Sequence, residues 1–256
     1  LLLPPLLFQG ALHMDLAHLK DNWKSIVVLA VPGVLASTFL IGFLLHKIWG
    51  IDLMYGLLFG ALITPTDPIS VLSILKKVGA PERLRVILEG ESLFNDGTGV
   101  VVFSVILGIL TGHVHFDAVQ STLTFFWVVG GSLLIGVGLG VLTYLILKKI
   151  NDHLLEVTLT VVLAFGAPLL AEAFHLSGVI AVVAAGLVIG NYGRLFSMSK
   201  NTRETVETFW EVTDFIVNSL VFLLIGIELQ VITLSDMQTL WGPVLAGVGC
   251  VFLARM

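Results

Sequence analysis

The chain has 256 residues, of which 57% are hydrophobic and 12% are charged, and its formal net charge at pH 7 is -5. A soluble domain usually carries about a quarter charged residues, so this composition excludes an ordinary soluble protein and indicates a polytopic membrane protein. The single cysteine, Cys250, excludes an internal disulfide framework. The net charge indicates no particular partner, because few charged side chains are free to form a surface field.

Long apolar runs recur along the whole chain, and a helix needs about 20 apolar residues to cross a bilayer. The sequence therefore predicts an all-α bundle of about nine transmembrane helices. They are placed at residues 1–14, 25–49, 53–75, 85–110, 121–147, 154–173, 176–192, 209–229 and 239–256. We expect the first and last helices to be truncated, because the sequence starts and stops inside apolar runs. No connection is long enough for a soluble domain, so we expect a single transmembrane domain over residues 1–256.

The basic side chains of the connections predict which side of the membrane each connection faces. Lys and Arg are concentrated in alternate connections, at residues 15–24, 76–84, 148–153 and 193–208, whereas the intervening connections hold only Lys47. Basic residues in short connections are retained on the cytoplasmic side of a membrane. We therefore expect the Lys/Arg-rich connections to be cytoplasmic.

The predicted helix at 53–75 contains the stretch LITPTDPISV, in which two prolines surround a hydroxyl and an acid. Pro65 and Pro68 lack an amide donor and disfavour helix at the residue before them. They should unwind the helix around Thr66 and Asp67, near the middle of the bilayer. Exposed backbone is tolerated there only if it faces protein or a wet cavity. The pattern favours an ion site over a simple proline kink.

The predicted helix at 85–110 contains ILEGESLFNDGTGVVVF, in which Asp96 lies about ten residues, or about 15 Å, inside the apolar boundary. Ser92, Asn95, Asp96 and Gly99 fall on one helical face. A carboxylate at the bilayer centre costs about 3 kcal/mol or more, and such residues are usually functional. The alternative is a structural aspartate held by hydrogen bonds between helices. For Glu91 both roles stay open, because intramembrane Arg255 would satisfy it.

The two polar stretches each place a hydroxyl or an amide beside an acid, on consecutive helices. Oxygen-rich clusters suit hard alkali cations better than soft metals. A carboxylate in such a cluster can bind a proton or a cation, but not both well. If the site faces each side of the membrane in turn, that competition alone produces coupled exchange.

Four motifs resemble the sodium/proton exchanger branch of the monovalent cation–proton antiporters. They are LPPLLF at 3–8, TPTDP at 64–68, EGESLFND at 89–96 and the AR pair at 254–255. The resemblance runs over the whole chain and implies a bacterial-type Na+/H+ antiporter of the plasma membrane. It also implies a homodimer, and a fold with a scaffold and a mobile core that contains two broken helices related by an inverted repeat. The second broken helix would lie beyond the end of this chain.

The resemblance also implies roles for individual residues. Asp96 matches the carboxylate that binds cation and proton in turn, and Asn95 matches the asparagine of an Asn-Asp pair that is typical of electroneutral exchange. Thr66 and Asp67 match positions in the unwound helix, and Ser92 matches a further cation ligand. Glu91 and Arg255 match a core ion pair, in which removal of either partner leaves a buried charge uncompensated.

One departure from the family pattern concerns the substrate. Many relatives carry an acid after the LPPLLF motif, where this chain has Gln9. The transported ion is therefore expected to be Na+, with Li+ or K+ as alternatives. No organic cofactor, nucleic acid or metal other than the transported cation is expected.

Two rival functions fit the sequence less well. A passive cation channel needs a continuous filter of carbonyls or acids, and no filter-like segment is visible. An intramembrane aspartyl protease also places two Asp residues on adjacent helices, but the sequence has no pairing of Tyr-Asp with Gly-x-Gly-Asp. A secondary transporter is therefore favoured over an enzyme.

Overall fold

The computed structural model describes residues 2–112, 118–150, 152–194, 197–198, 200–229 and 234–255. Regular structure in these residues is entirely helical, as the sequence predicts. The helices are α1 Leu3–His13, α2 Leu16–Val28, α3 Val34–Trp49, α4 Leu53–Ile63, α5 Ile69–Lys77, α6 Glu82–Leu110, α7 Ala118–Leu147, α8 His153–Ala173, α9 Gly178–Val188, α10 Lys200–Glu228 and α11 Leu234–Arg255.

Among the described residues, five helical segments are long and apolar enough to cross a membrane. They are Leu16–Trp49, Glu82–Leu110, Leu123–Leu147, His153–Ala173 and Thr202–Glu228, and two shorter apolar segments are Leu53–Ile63 and Gly178–Gly193. Large apolar side chains cover their outer faces: Leu134 is 77% exposed and Phe222 is 73% exposed. Such surfaces suit a lipid solvent, and the chain is a transmembrane helix bundle.

Two helices begin nine residues before their predicted starts. The helix expected from 25 begins at Leu16, and the helix expected from 209 begins at Lys200. Both extensions carry charged side chains, so hydropathy alone excluded them from the membrane spans. The Asp15 side chain accepts a hydrogen bond from the Ala17 amide at 2.7 Å and caps the first extension. The predicted connection at 15–24 is therefore largely helical, and the one at 193–208 is helical from residue 200.

Two π-helical turns interrupt the helical runs. The first covers Leu29–Gly33 between α2 and α3 and contains Pro32, whose missing amide donor breaks the α-helical hydrogen-bond ladder. The second covers Ile189–Gly193 after α9. There, the Asn191 amide nitrogen donates to the Met14 carbonyl at 2.9 Å, and its oxygen accepts from the Leu16 amide at 2.8 Å. Asn191 thereby anchors the turn between α1 and α2.

The described chain divides into two compact units. The first contains Leu1–Asn22 and Thr122–Leu223, and the second contains Trp23–Ser121 and Leu224–Met256. In the first unit, α9 packs on α1 and α8. The Trp210 ring lies 4.7 Å from the Phe8 ring, centroid to centroid, and the indole nitrogen of Trp210 donates to the Thr160 hydroxyl at 3.0 Å.

In the second unit, α3 and α4 form a tightly packed pair, and α4 also packs on α6. A Cβ atom at Gly60 would lie only 2.6 Å from the Thr38 carbonyl oxygen, so the two backbones touch at this glycine. Helix α11 packs on α3 through a buried cluster of Ile41, Leu45 and Cys250. The residues of the predicted ion site and of the predicted core ion pair all belong to this second unit.

Candidate functional site

A break between α4 and α5 lies where the two prolines predict it. Helix α4 ends at Ile63 and α5 begins at Ile69, so residues 64–68 are not helical. The Thr64 hydroxyl donates to the Gly60 carbonyl at 2.7 Å and lies 3.5 Å from the Thr38 hydroxyl. Thr38 was not predicted as part of this region, because nothing in its apolar helix distinguishes it from a packing residue.

The break is joined to α6 by two hydrogen bonds that both end on Thr66. The Ser92 hydroxyl donates to the Thr66 carbonyl oxygen at 2.6 Å. The Asn95 amide nitrogen lies 3.4 Å from the Thr66 hydroxyl oxygen, to which it donates. Ser92 is 9% exposed and Asn95 is fully buried, so the side chains that α6 contributes to this contact are buried. The predicted residues Thr66, Ser92 and Asn95 are thus brought together.

The Asn95 amide has a defined orientation. Its nitrogen donates to the Glu91 carboxylate at 2.8 Å. The nitrogen rather than the oxygen of the amide faces Glu91, whose carboxyl oxygen is the acceptor. The Asn95 Oδ1 atom is then buried without a hydrogen-bond partner among the described residues. An unpaired buried carbonyl oxygen is costly, and a bound cation would satisfy it.

Asp96 lies beside this amide on α6 and is half-buried. Asp67 and Glu91 are close enough to act electrostatically on it. Thr66 in the break is also half-buried, whereas Asp67 is exposed. Neighbouring carboxylates repel one another when all are ionised, so the cluster favours the uptake of a positive ion. Asp67 of the break is therefore within electrostatic range of Asp96 on α6.

Arg255, which is predicted to pair with Glu91, and Gln9, which stands where many relatives carry an acid, are not among the contacts described above. Arg255 ends α11, but its side chain lies outside the described part of the structure, so its pairing with Glu91 stays a prediction. Gln9 lies on α1 in the first unit, and its backbone carbonyl oxygen is 3.0 Å from the His13 Nδ1 atom. Within the described residues, the Glu91 carboxylate accepts a hydrogen bond from Asn95, four residues along the same helix.

Comparisons with known proteins agree with this architecture. The sequence model of the family described as "Sodium/hydrogen exchanger, transmembrane" matches residues 1–256. The chain is 47% identical over 238 residues to the Na+/H+ antiporter NhaP of Pseudomonas aeruginosa. This alignment covers 91% of this chain and 56% of that protein. It is 38% identical over 258 residues to the Na+/H+ antiporter NhaG of Bacillus atrophaeus, covering 100% of this chain and 48% of that protein.

The fold is also similar to that of a solved protein. The structure of the sodium proton antiporter MjNhaP1 from Methanocaldococcus jannaschii matches with a TM-score of 0.81 and 26% sequence identity. The match covers 99% of this chain and 63% of that one. The chain spans about half the length of the curated relatives that it matches.

Proposed function

Because the chain belongs to the sodium/hydrogen exchanger family, we propose that it forms part of a secondary antiporter that exchanges H+ for Na+ across a membrane. Li+ and K+ are the alternative cations. The observation that carries the proposal is the fully buried amide of Asn95, the residue before Asp96. Its nitrogen donates to Thr66 in the broken segment, and its oxygen has no hydrogen-bond partner among the described residues. The protein is a transporter, and no enzymatic chemistry is needed to explain this site.

The cation ligands in this proposal are oxygen atoms on either side of the gap between the break and α6. Asp96 and Asp67 supply carboxylate oxygens, Asn95 supplies Oδ1, and Thr66 and Ser92 supply hydroxyl oxygens. Hard oxygen ligands of this kind suit an alkali cation. The two hydrogen bonds from α6 to Thr66 support the assignment, because they hold both sides of the gap together.

Coupling in this proposal arises from competition at Asp96. A proton and a cation both neutralise its carboxylate, so binding of one displaces the other. When the site opens to each side of the membrane in turn, the two ions cross in opposite directions. Asn95 adds an oxygen ligand without adding a second charge at that position, so one proton exchanges for one cation and the cycle is electroneutral.

Glu91 has a supporting role in this mechanism. Its carboxylate accepts the Asn95 amide nitrogen and so directs Oδ1 away from itself. In addition, the core ion pair of Glu91 with Arg255 would balance the charge of Glu91 inside the membrane. Loss of either partner of such a pair is strongly destabilising, because the other charge remains buried.

Orientation and assembly belong to the same proposal. The connections at 15–24, 76–84, 148–153 and 193–208 face the cytoplasm of a bacterial-type plasma membrane. In a Cys250→Ser background, Ile51→Cys should react with an impermeant maleimide added to intact cells, whereas Val78→Cys should react only after permeabilisation. The reverse result would contradict this orientation.

The protein functions as a homodimer, and a monomeric mass of the full-length protein in native mass spectrometry would contradict that.

The test of the function is transport by the full-length protein in proteoliposomes. Addition of Na+ should cause a saturable dequenching of a pH-sensitive dye, and Asp96→Asn should abolish it, because an amide cannot take up and release a proton at this site. Asp21→Asn, which changes an exposed aspartate on α2, is the matched control and should retain exchange. Full exchange by Asp96→Asn would show that the site is wrongly assigned, and uncoupled cation uptake would favour a channel.

A further inference from the structure

Gly99 lies on α6, three residues after Asp96, and faces Pro65 in the helix break. A Cβ atom at Gly99 would lie 2.3 Å from Cγ and 3.2 Å from Cδ of Pro65, and 3.5 Å from the Ala61 carbonyl oxygen. Such a distance to Cγ is too short for any side chain. The break and α6 therefore touch at this point, and only a glycine allows the contact.

The Pro65 ring cannot yield to a larger neighbour as a flexible side chain would. Its Cδ atom is bonded to the backbone nitrogen, which fixes the ring and restricts φ to about −65°. A methyl group at position 99 would therefore have to move the backbone of residues 64–68 away from α6. A shift of about 1.2 Å or more is needed to reach normal van der Waals separation.

This contact lies beside the polar contacts of the site. Thr66, the residue after Pro65, accepts the hydrogen bonds of Ser92 and Asn95 at 2.6 and 3.4 Å. Displacement of Pro65 from α6 would lengthen both distances. The contact of Gly99 with Pro65 thus determines how closely Thr66 approaches the oxygen-bearing side chains of α6.

We propose that Gly99 is a specificity-determining residue that keeps the ion site narrow enough to favour a small alkali cation. The inference rests on the function proposed above, and it adds a prediction of which cation the site prefers. Ionic radius increases from Li+ to Na+ to K+, and cavity size together with ligand number distinguishes cations in proteins. With glycine at position 99, the ligands of the break and of α6 can converge on the smaller ions.

The experiment is a measurement of cation preference in the full-length protein, with Gly99→Ala compared with wild type in proteoliposomes. Dye dequenching gives the half-saturating concentrations of Li+, Na+ and K+. In Gly99→Ala we expect the ratio of the Li+ value to the K+ value to change about tenfold in favour of K+, a change at the lower end of the cost of an added methyl group in a packed contact. An unchanged ratio in the folded variant would overturn the inference.

Two matched controls separate a change in the site from a general packing defect. Gly56→Ala introduces a similar clash between α3 and α4, because its Cβ atom would lie 2.8 Å from the Gly42 carbonyl oxygen. It should lower thermal stability and leave the cation ratio unchanged. Gly249→Ala, on α11 of the same unit, adds a methyl group with no atom within 4 Å and should change neither quantity.

Pro65→Ala provides a second test of the role of this contact in cation preference. It can be carried out even if Gly99→Ala does not fold. Removal of the ring lets the break approach α6 more closely, so the ratio should shift toward Li+. A shift toward K+, or no shift, would contradict the inference. Failure of the proposed function is distinguishable, because wild-type protein would then show no cation-driven proton movement at all.

Discussion

The side-chain amide of Asn95 is fixed by donation of its nitrogen to Glu91 at 2.8 Å and to Thr66 at 3.4 Å. The Oδ1 atom of the same amide takes part in neither contact. It is buried and has no hydrogen-bond partner among the described residues. The i, i+4 spacing on α6 makes the contact with Glu91 predictable from sequence. The contact with Thr66 is not predictable in this way, because it depends on how a separate segment of the chain packs.

Asn95→Asp should change the charge moved in each cycle. A second carboxylate at this position would take up an additional proton for each cation, so one net charge would cross the membrane. Each charge gains about 2.3 kcal/mol per 100 mV of membrane potential, so exchange by the variant should depend on voltage whereas wild-type exchange should not. Dye dequenching in vesicles with and without an imposed potential measures this. Voltage-dependent wild-type exchange, or a voltage-independent active variant, would contradict electroneutrality.

At the scale of elements, the helix break is the feature that the sequence predicts best. Two prolines three residues apart remove backbone donors and disfavour helix before them, and residues 64–68 are not helical. The starts of α2 and α10 are predicted nine residues late. Hydropathy marks where the lipid-facing part of a helix begins, but the helix itself can extend through charged residues if its first amides have hydrogen-bond acceptors. The Asp15 side chain is such an acceptor for the Ala17 amide.

Gly60→Ala should destabilise the contact between α3 and α4. The added Cβ atom would lie 2.6 Å from the Thr38 carbonyl oxygen and 3.2 Å from its Cα atom, and backbone cannot move aside without a shift of the helix. Overpacking of this kind costs about 1–3 kcal/mol, so the detergent-purified full-length protein should melt at a lower temperature. Gly138→Ala, an exposed position on α7 with open space around it, should melt no lower than wild type. Equal melting of the two variants would refute the close contact.

At the scale of the whole molecule, the described chain divides into two compact units, and no local sequence pattern predicts where one unit ends and the other begins. The boundaries at 22/23, 121/122 and 223/224 fall inside α2, α7 and α10. No linker and no change of composition marks these positions, and the single transmembrane domain over residues 1–256 stays a prediction. The division of the chain depends on tertiary contacts, which a local sequence pattern does not predict. The motifs at 64–68 and 89–96, by contrast, were placed together on consecutive helices and do meet within the second unit.

The central claim is that one carboxylate is shared in turn by a proton and a cation, and proton release on cation binding tests it most directly. Na+ is added to weakly buffered, purified full-length protein, and the released protons are counted with a pH indicator. At a starting pH where the carboxylate is protonated, we expect close to one proton per bound cation in wild type and none in Asp96→Asn. Cation binding without proton release in wild type, or equal release by Asp96→Asn, would contradict the account.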